Sequence, residues 1–159
     1  MIPLSAFTLE LLAGLPLAAV LVAIARIDLR SRRVPDALSL PLLAAGLILA
    51  LLTGASLSDH LAGAVLGWAV FAAIGWAFWR LRGIEGLGLG DAKLLGAAGA
   101  WLGWQALPAL VALASIGALV AALIRPRMRQ GEIAFAPFLG AAFALMWAAR
   151  LAVRQAGVG

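Results

Sequence analysis

Cysteine and tyrosine are absent from this 159-residue chain, and histidine occurs once, as His60. Without cysteine there is no structural disulfide, no thiolate zinc site and no thiol nucleophile, and the redox compartment is left open. A single histidine argues against a histidine-rich metal site, so no metal or other cofactor is expected. Charge is scarce as well: 12% of the residues are Asp, Glu, Lys or Arg, against about 25% in an ordinary soluble domain. What is there instead is apolar. Hydrophobic residues make up 65% of the chain, with 18 Gly and 6 Trp, and the mean hydropathy is +1.08. This composition implies an all-α, polytopic membrane bundle forming a single domain over 1–159.

Long apolar runs of about 17–25 residues mark candidate transmembrane helices. They fall at 4–27, 37–53, 60–79 and 134–151. The stretch 92–124 is too long for one ordinary span and tight for two, and "WLGWQALP" (101–108) offers a turn near Gln105. Two short spans there give about six in total. No basic residue precedes the first run, whereas Arg26, Arg30, Arg32 and Arg33 follow it. That is the reverse of a secretory signal's charge order, so the first run reads as a retained helix. Gly63 and Gly67 have the small-x-x-x-small spacing that lets helices approach closely.

The net charge of +5 would suggest a nucleic-acid partner in a soluble protein. Here the basic residues sit in short clusters between apolar runs, so membrane topology and contact with lipid explain them and no nucleic acid is expected. Arg26, Arg30, Arg32 and Arg33 share one face of a six-span bundle with Arg80, Arg82, Lys93, Arg125, Arg127 and Arg129. Only Arg150 and Arg154 fall on the other face. The positive-inside rule makes the first face cytoplasmic and puts both termini outside, in a cytoplasmic (inner) membrane.

Of seven acidic residues, Asp28 and Asp91 fall at similar depth near that cytoplasmic face. Asp28 ends the first span in "ARIDLRSRRVPD" and Asp91 follows the glycines of "EGLGLGDAKLLG". Two carboxylates in contact share a proton, so that one can activate water while the other polarises a carbonyl. Gly86, Gly88 and Gly90 carry no side chain to obstruct an extended substrate backbone beside Asp91. Glu85 and Lys93 are expected either to tune the pair or to flank a helix start in solvent. Glu10 is expected near the outer interface, Asp59 and His60 in a solvated outer loop, and Glu132 in the arginine-rich inner loop. The tryptophans read as interfacial belts and packing.

Together these stretches resemble the type IV prepilin peptidases. "DLRSRRVPD" (28–36) is similar to their first aspartate motif, "EGLGLGDAKLL" (85–95) to their GxGD motif, and "GEIAFAPFL" (131–139) to a third stretch. The resemblance spans nearly the whole chain. It implies a membrane aspartic endopeptidase that removes the basic leader of prepilins or pseudopilins at the cytoplasmic face, with Asp28 and Asp91 as its catalytic pair. Glu85, Gly88, Gly90 and Lys93 match the flanks of the second motif, and Arg33 and Pro35 the region after the first.

The sequence departs from the family pattern in places. Val34 and Asp36 stand where Ile and Asn are usual, and Ala134 and Ala136 replace a Pro and a Gly. Asp36 adds a negative charge that would alter Asp28 or attract a basic leader. The paired CxxC segment of larger members is not in this sequence, so methyltransferase activity is not expected, and the short form resembles peptidases serving tight-adherence pili or compact secretion systems. The presenilin-type GxGD proteases pair that motif with Tyr-Asp, and a chain without tyrosine does not fit them. The readings in competition are an inactive peptidase homologue and a non-enzymatic scaffold or transporter subunit. The composition leaves the oligomeric state open.

Overall fold

The structure is a computed structural model that describes residues 5–82, 88–124 and 134–157, and those residues form six α-helices without a strand. They are α1 (Ala6–Ser31), α2 (Asp36–Thr53), α3 (Leu57–Arg82), α4 (Leu89–Leu102), α5 (Leu107–Ile124) and α6 (Ala136–Gln155). The all-α membrane bundle anticipated from composition is the observed fold. Helix ends fall where the local chemistry stops the ladder. Ser5 caps α1 by accepting from Thr8 N at 3.2 Å. Gly54 ends α2 in the left-handed region, at φ 70°.

The ambiguous stretch resolves into two helices, separated by Gly103 at φ 84° and a 3-10 turn over Trp104–Ala106. A φ in that range favours glycine. Helix α4 has 14 residues, about 21 Å at 1.5 Å per residue, and falls short of the roughly 30 Å hydrocarbon core. The other five helices are long and apolar enough to cross a membrane. A helix that is apolar on every side belongs inside protein, and α4 is buried without interruption from Leu94 to Trp101. It packs against α2, α3 and α6, while α1 and α5 both pack on α6.

Glycine sets how close α3 and α4 come. A Cβ on Gly63 or Gly99 would strike the carbonyl of the other, and one on Gly67 would lie 2.7 Å from the Leu95 carbonyl oxygen. The small-x-x-x-small spacing is therefore a backbone-to-backbone contact. Trp101 fills the other side of α4. Its indole Nε1 donates to Leu42 O at 2.7 Å, in space that Gly46 leaves open.

One expectation about a polar residue is corrected, and another gains its partners. His60 does not lie in a solvated loop. It sits in the first turn of α3, 6% exposed, and its Nδ1 donates to Ala100 O at 2.8 Å. The cause is the end of α4, whose last carbonyls have no donor in their own helix. Asp59 beside it accepts from Trp104 Nε1 at 3.2 Å. Glu10 lies at the end of the bundle far from Asp28, but it is inside the protein, 1% exposed. Its carboxylate accepts from Arg154 at 2.8 Å and from Arg150 at 3.3 Å. Leaving the buried Glu10 carboxylate without either arginine would cost about 3–5 kcal/mol, because its charge would lose its compensation, whereas the arginines themselves are partly exposed, at 23% and 38%. These pairs also show α1 and α6 antiparallel, which leaves the N-terminal end of α1 and the C-terminal end of α6 on the same side.

Candidate active site

Asp28 is carried inward by the phase of α1. The buried residues of that helix are Glu10, Leu17, Leu21, Ile24 and Asp28, a stripe at steps of three, four and seven that forms one face. Asp28 is 5% exposed. One turn later Arg32 stops the helix in the left-handed region (φ 52°, ψ 37°), its N–H donating to Asp28 O at 2.8 Å. It is the only described non-glycine residue with positive φ, a conformation that strains a side-chain-bearing residue. Beyond this turn Val34 packs against Gly90 of α4, and Arg33 and Val34 line the cavity beside Asp28.

The Asp28 carboxylate faces the backbone N–H of Ala136, the first residue of α6, and the Arg32 charge is close by. Its Oδ2 atom is buried with no hydrogen-bond partner among the described residues. Asp91 occupies the first turn of α4, whose start is set by Gly88 in extended conformation. Asp91 thus stands at the N-terminus of its own helix, where the backbone presents positive charge, while Asp28, in the last turn of α1, faces the N-terminus of α6. Asp28 and Asp91 lie within electrostatic reach of one another and line the same cavity, of about 560 Å³. That volume lies within the range of ligand clefts.

The wall around the aspartates is formed by Arg32, Arg33, Val34, Gly88, Gly90 and Lys93. Facing them across the cavity are Ala72, Gly75, Trp76 and Trp79 of α3. Where α3 and α4 touch through glycine they are closed, and the cavity lies beyond that contact. Of the residues singled out in the sequence, Asp28, Asp91, Gly88, Gly90, Lys93 and Arg33 come together here. Pro35 and Asp36 do not line the cavity. Pro35 precedes α2 and its carbonyl accepts from Leu38 N at 3.0 Å. Asp36 accepts from Lys93 Nζ across the mouth. At 29% and 58% side-chain exposure this ion pair contributes about 0–1 kcal/mol, so its effect is to aim Lys93. Glu85, Gly86, Arg125, Arg127, Arg129 and Glu132 lie outside the described residues.

The glycines divide by role. A Cβ on Gly90 would stand 2.9 Å from Val34 Cβ, so Gly90 makes room for the chain's own loop. At Gly88 the nearest atom to such a Cβ is Asp91 Oδ2 at 3.7 Å, and this position does stand open toward the cavity. Sequence reading missed the α3 wall and the Ala136 N–H. The wall carried a signal, since positions 72, 75, 76 and 79 fall on one helical face. The N–H carried none, because every non-proline residue has one.

Residues 15–124 match the Type IV leader peptidase family. Among curated relatives, the "Prepilin leader peptidase/N-methyltransferase" of Aeromonas hydrophila is 48% identical over 143 residues, covering 86% of this chain and 49% of the relative. The protein of the same name from Burkholderia pseudomallei (strain 1026b) is 47% identical over 135 residues, covering 82% and 44%. That from Escherichia coli (strain K12) is 43% identical over 117 residues, covering 71% and 52%. The chain spans about half the length of the curated relatives it matches. No solved structure matches it.

Proposed function

Because this chain belongs to the type IV leader peptidase family, we propose that it is a membrane aspartic endopeptidase that removes the basic leader of prepilin-like proteins at the cytoplasmic face of the inner membrane. The observation that supports this most directly is the meeting of Asp28 and Asp91, from α1 and α4, in one cavity, with Asp28 Oδ2 unpartnered among the described residues. Between two carboxylates sharing one proton, a water is deprotonated by the ionised member and attacks the scissile carbonyl carbon. The protonated member donates to the carbonyl oxygen. Collapse of the tetrahedral intermediate breaks the C–N bond and delivers a proton to the leaving amine. The single negative charge of the pair faces the positive ends of α4 and α6, which offset the negative C-terminal end of α1 that carries Asp28.

Arg32, Arg33 and Lys93 gather at the mouth of the cavity, which supports a cytoplasmic mouth on the positive-inside rule. The α3 wall, with two tryptophans and two small residues, suits an apolar stretch of substrate lying beside the cut. Paired carboxylates account for the hydrolytic half of the relatives' name, and the methyl-transfer half is left to measurement.

The test is co-expression with a prepilin, reading the mobility shift and the mass of the new N-terminus. Wild type is expected to remove the leader, and Asp28→Asn and Asp91→Asn to lower the rate by at least about 10²–10⁴-fold, the usual contribution of a positioned acid or base. Cleavage retained by either variant sinks the dyad. A wild type that cuts no prepilin returns the reading to an inactive homologue or scaffold. The same mass spectrum shows whether the new N-terminus is methylated.

A further inference from the structure

Asp28 and Glu10 lie on the same face of α1, eighteen residues or five turns apart, and both meet α6. Five turns are about 27 Å. At one end of this interface the Ala136 N–H, at the start of α6, faces Asp28. At the other, Arg150 and Arg154 near the end of α6 hold Glu10 from two sides. Arg150 reaches a third helix as well: its Nη1 donates to Trp101 O of α4 at 3.2 Å, and its guanidinium lies 5.5 Å from the Trp147 ring centroid. One charge cluster therefore joins α1, α4 and α6, the three helices that supply Asp28, Asp91 and the Ala136 N–H.

We propose that Glu10, Arg150 and Arg154 are positioning residues that fix the register of α1 against α6 and so place Asp28 in the cavity. The inference rests on the peptidase reading only for its kinetic consequence. Between the two ends, the buried residues of α1 are Leu17, Leu21 and Ile24. Apolar contact is non-directional and specifies register weakly. Guanidinium–carboxylate bonds are directional. A slip of one residue along α1 shifts its face by 1.5 Å and about 100°, and a misplacement near 1 Å costs up to about 100-fold in rate. The cluster also gives the two basic residues opposite the cytoplasmic loops a partner inside the fold.

A chain without cysteine allows a direct test. A Cβ on Gly140 of α6 would lie 3.9 Å from Leu21 Cβ of α1, within the usual disulfide range of about 3.5–4.5 Å. The double variant Leu21→Cys/Gly140→Cys is made with and without Glu10→Gln in the full chain, and cross-link yield and prepilin cleavage are both measured. Glu10→Gln is expected to lower the yield, and to lower kcat by about tenfold or more with KM within about twofold. Oxidation to the cross-linked form is expected to restore most of kcat in the Glu10→Gln background, which a general loss of stability would not allow. If Glu10→Gln does not accumulate, the partly exposed Arg154→Gln serves in its place with the same expected direction. Unchanged cross-link yield, or a folded cross-linked variant that stays slow while the cross-linked parent is active, overturns the clamp. If the parent cuts no prepilin the peptidase reading fails, and the cross-link yield, which needs no substrate, still decides the register claim.

Discussion

Gly90 illustrates how much one missing side chain can decide. Its neighbour is Val34, 9% exposed, in the segment that joins α1 to α2 and carries Arg33. Gly90→Ala places a methyl 2.9 Å from Val34 Cβ, and backbone on both sides has to move. The expected cost is about 1–3 kcal/mol, read as a lower Tm in detergent, together with slower leader removal because Asp91 is the next residue. Gly88→Ala meets only ordinary contacts at 3.7 and 3.9 Å with φ at −68°, so its Tm is expected to match the parent. The glycine run was legible as a place where the backbone comes close to something. What it comes close to depends on the Arg32 turn, which returns Val34 to α4, and no periodicity in the sequence encodes that.

At the scale of elements, the short α4 makes the site possible. A helix of about 21 Å in a bilayer core of about 30 Å stays within the bundle, while α3, at 26 residues, continues past its start. The last turns of α3 therefore stand across the cavity from the aspartates, with Trp76 and Trp79 exposed at 64% and 55%. In Trp76→Ala and Trp79→Ala, KM for a prepilin is expected to rise by about three- to tenfold, with kcat nearly unchanged. That corresponds to an aromatic contact of about 0.5–1.5 kcal/mol made equally in ground and transition states. A loss confined to kcat would instead place the tryptophans in the chemistry. Helix α4 itself was half legible: Gly103 and the polar Gln105 marked its end, but a 33-residue apolar stretch does not say how it divides.

For the whole molecule, the sign of the charges and the course of the helices agree. The antiparallel pairing of α1 with α6, through Glu10 at one end and Asp28 at the other, places the start of α1 and the end of α6 at the same end of the bundle. It brings Arg32, Arg33 and Lys93 to one end of the bundle. The absence of native cysteine makes single-cysteine labelling a clean measure of sidedness. Ser56→Cys, between α2 and α3, is expected to react with an impermeant maleimide in intact cells. Ser31→Cys, at the end of α1, is expected to react only after permeabilisation. The opposite pattern would put the aspartates outside and exclude a cytoplasmic leader as substrate.

The sequence by itself determined the membrane class, the sites of the helices, and Asp28 and Asp91 as the pair to examine. These follow from quantities summed along the chain, hydropathy over about 20 residues and the sign of charge in each connection, and from motifs that read locally. The tertiary structure decided which faces meet. It turned Glu10 inward onto Arg150 and Arg154, buried His60 under the end of α4, gave Asp36 to Lys93, and set the α6 N-terminus against Asp28. The physical reason is rotational phase. One residue turns a helix by about 100°, so the partner of a buried polar group is fixed by how helices are packed and rotated together, and hydropathy averaged along a span carries no record of it.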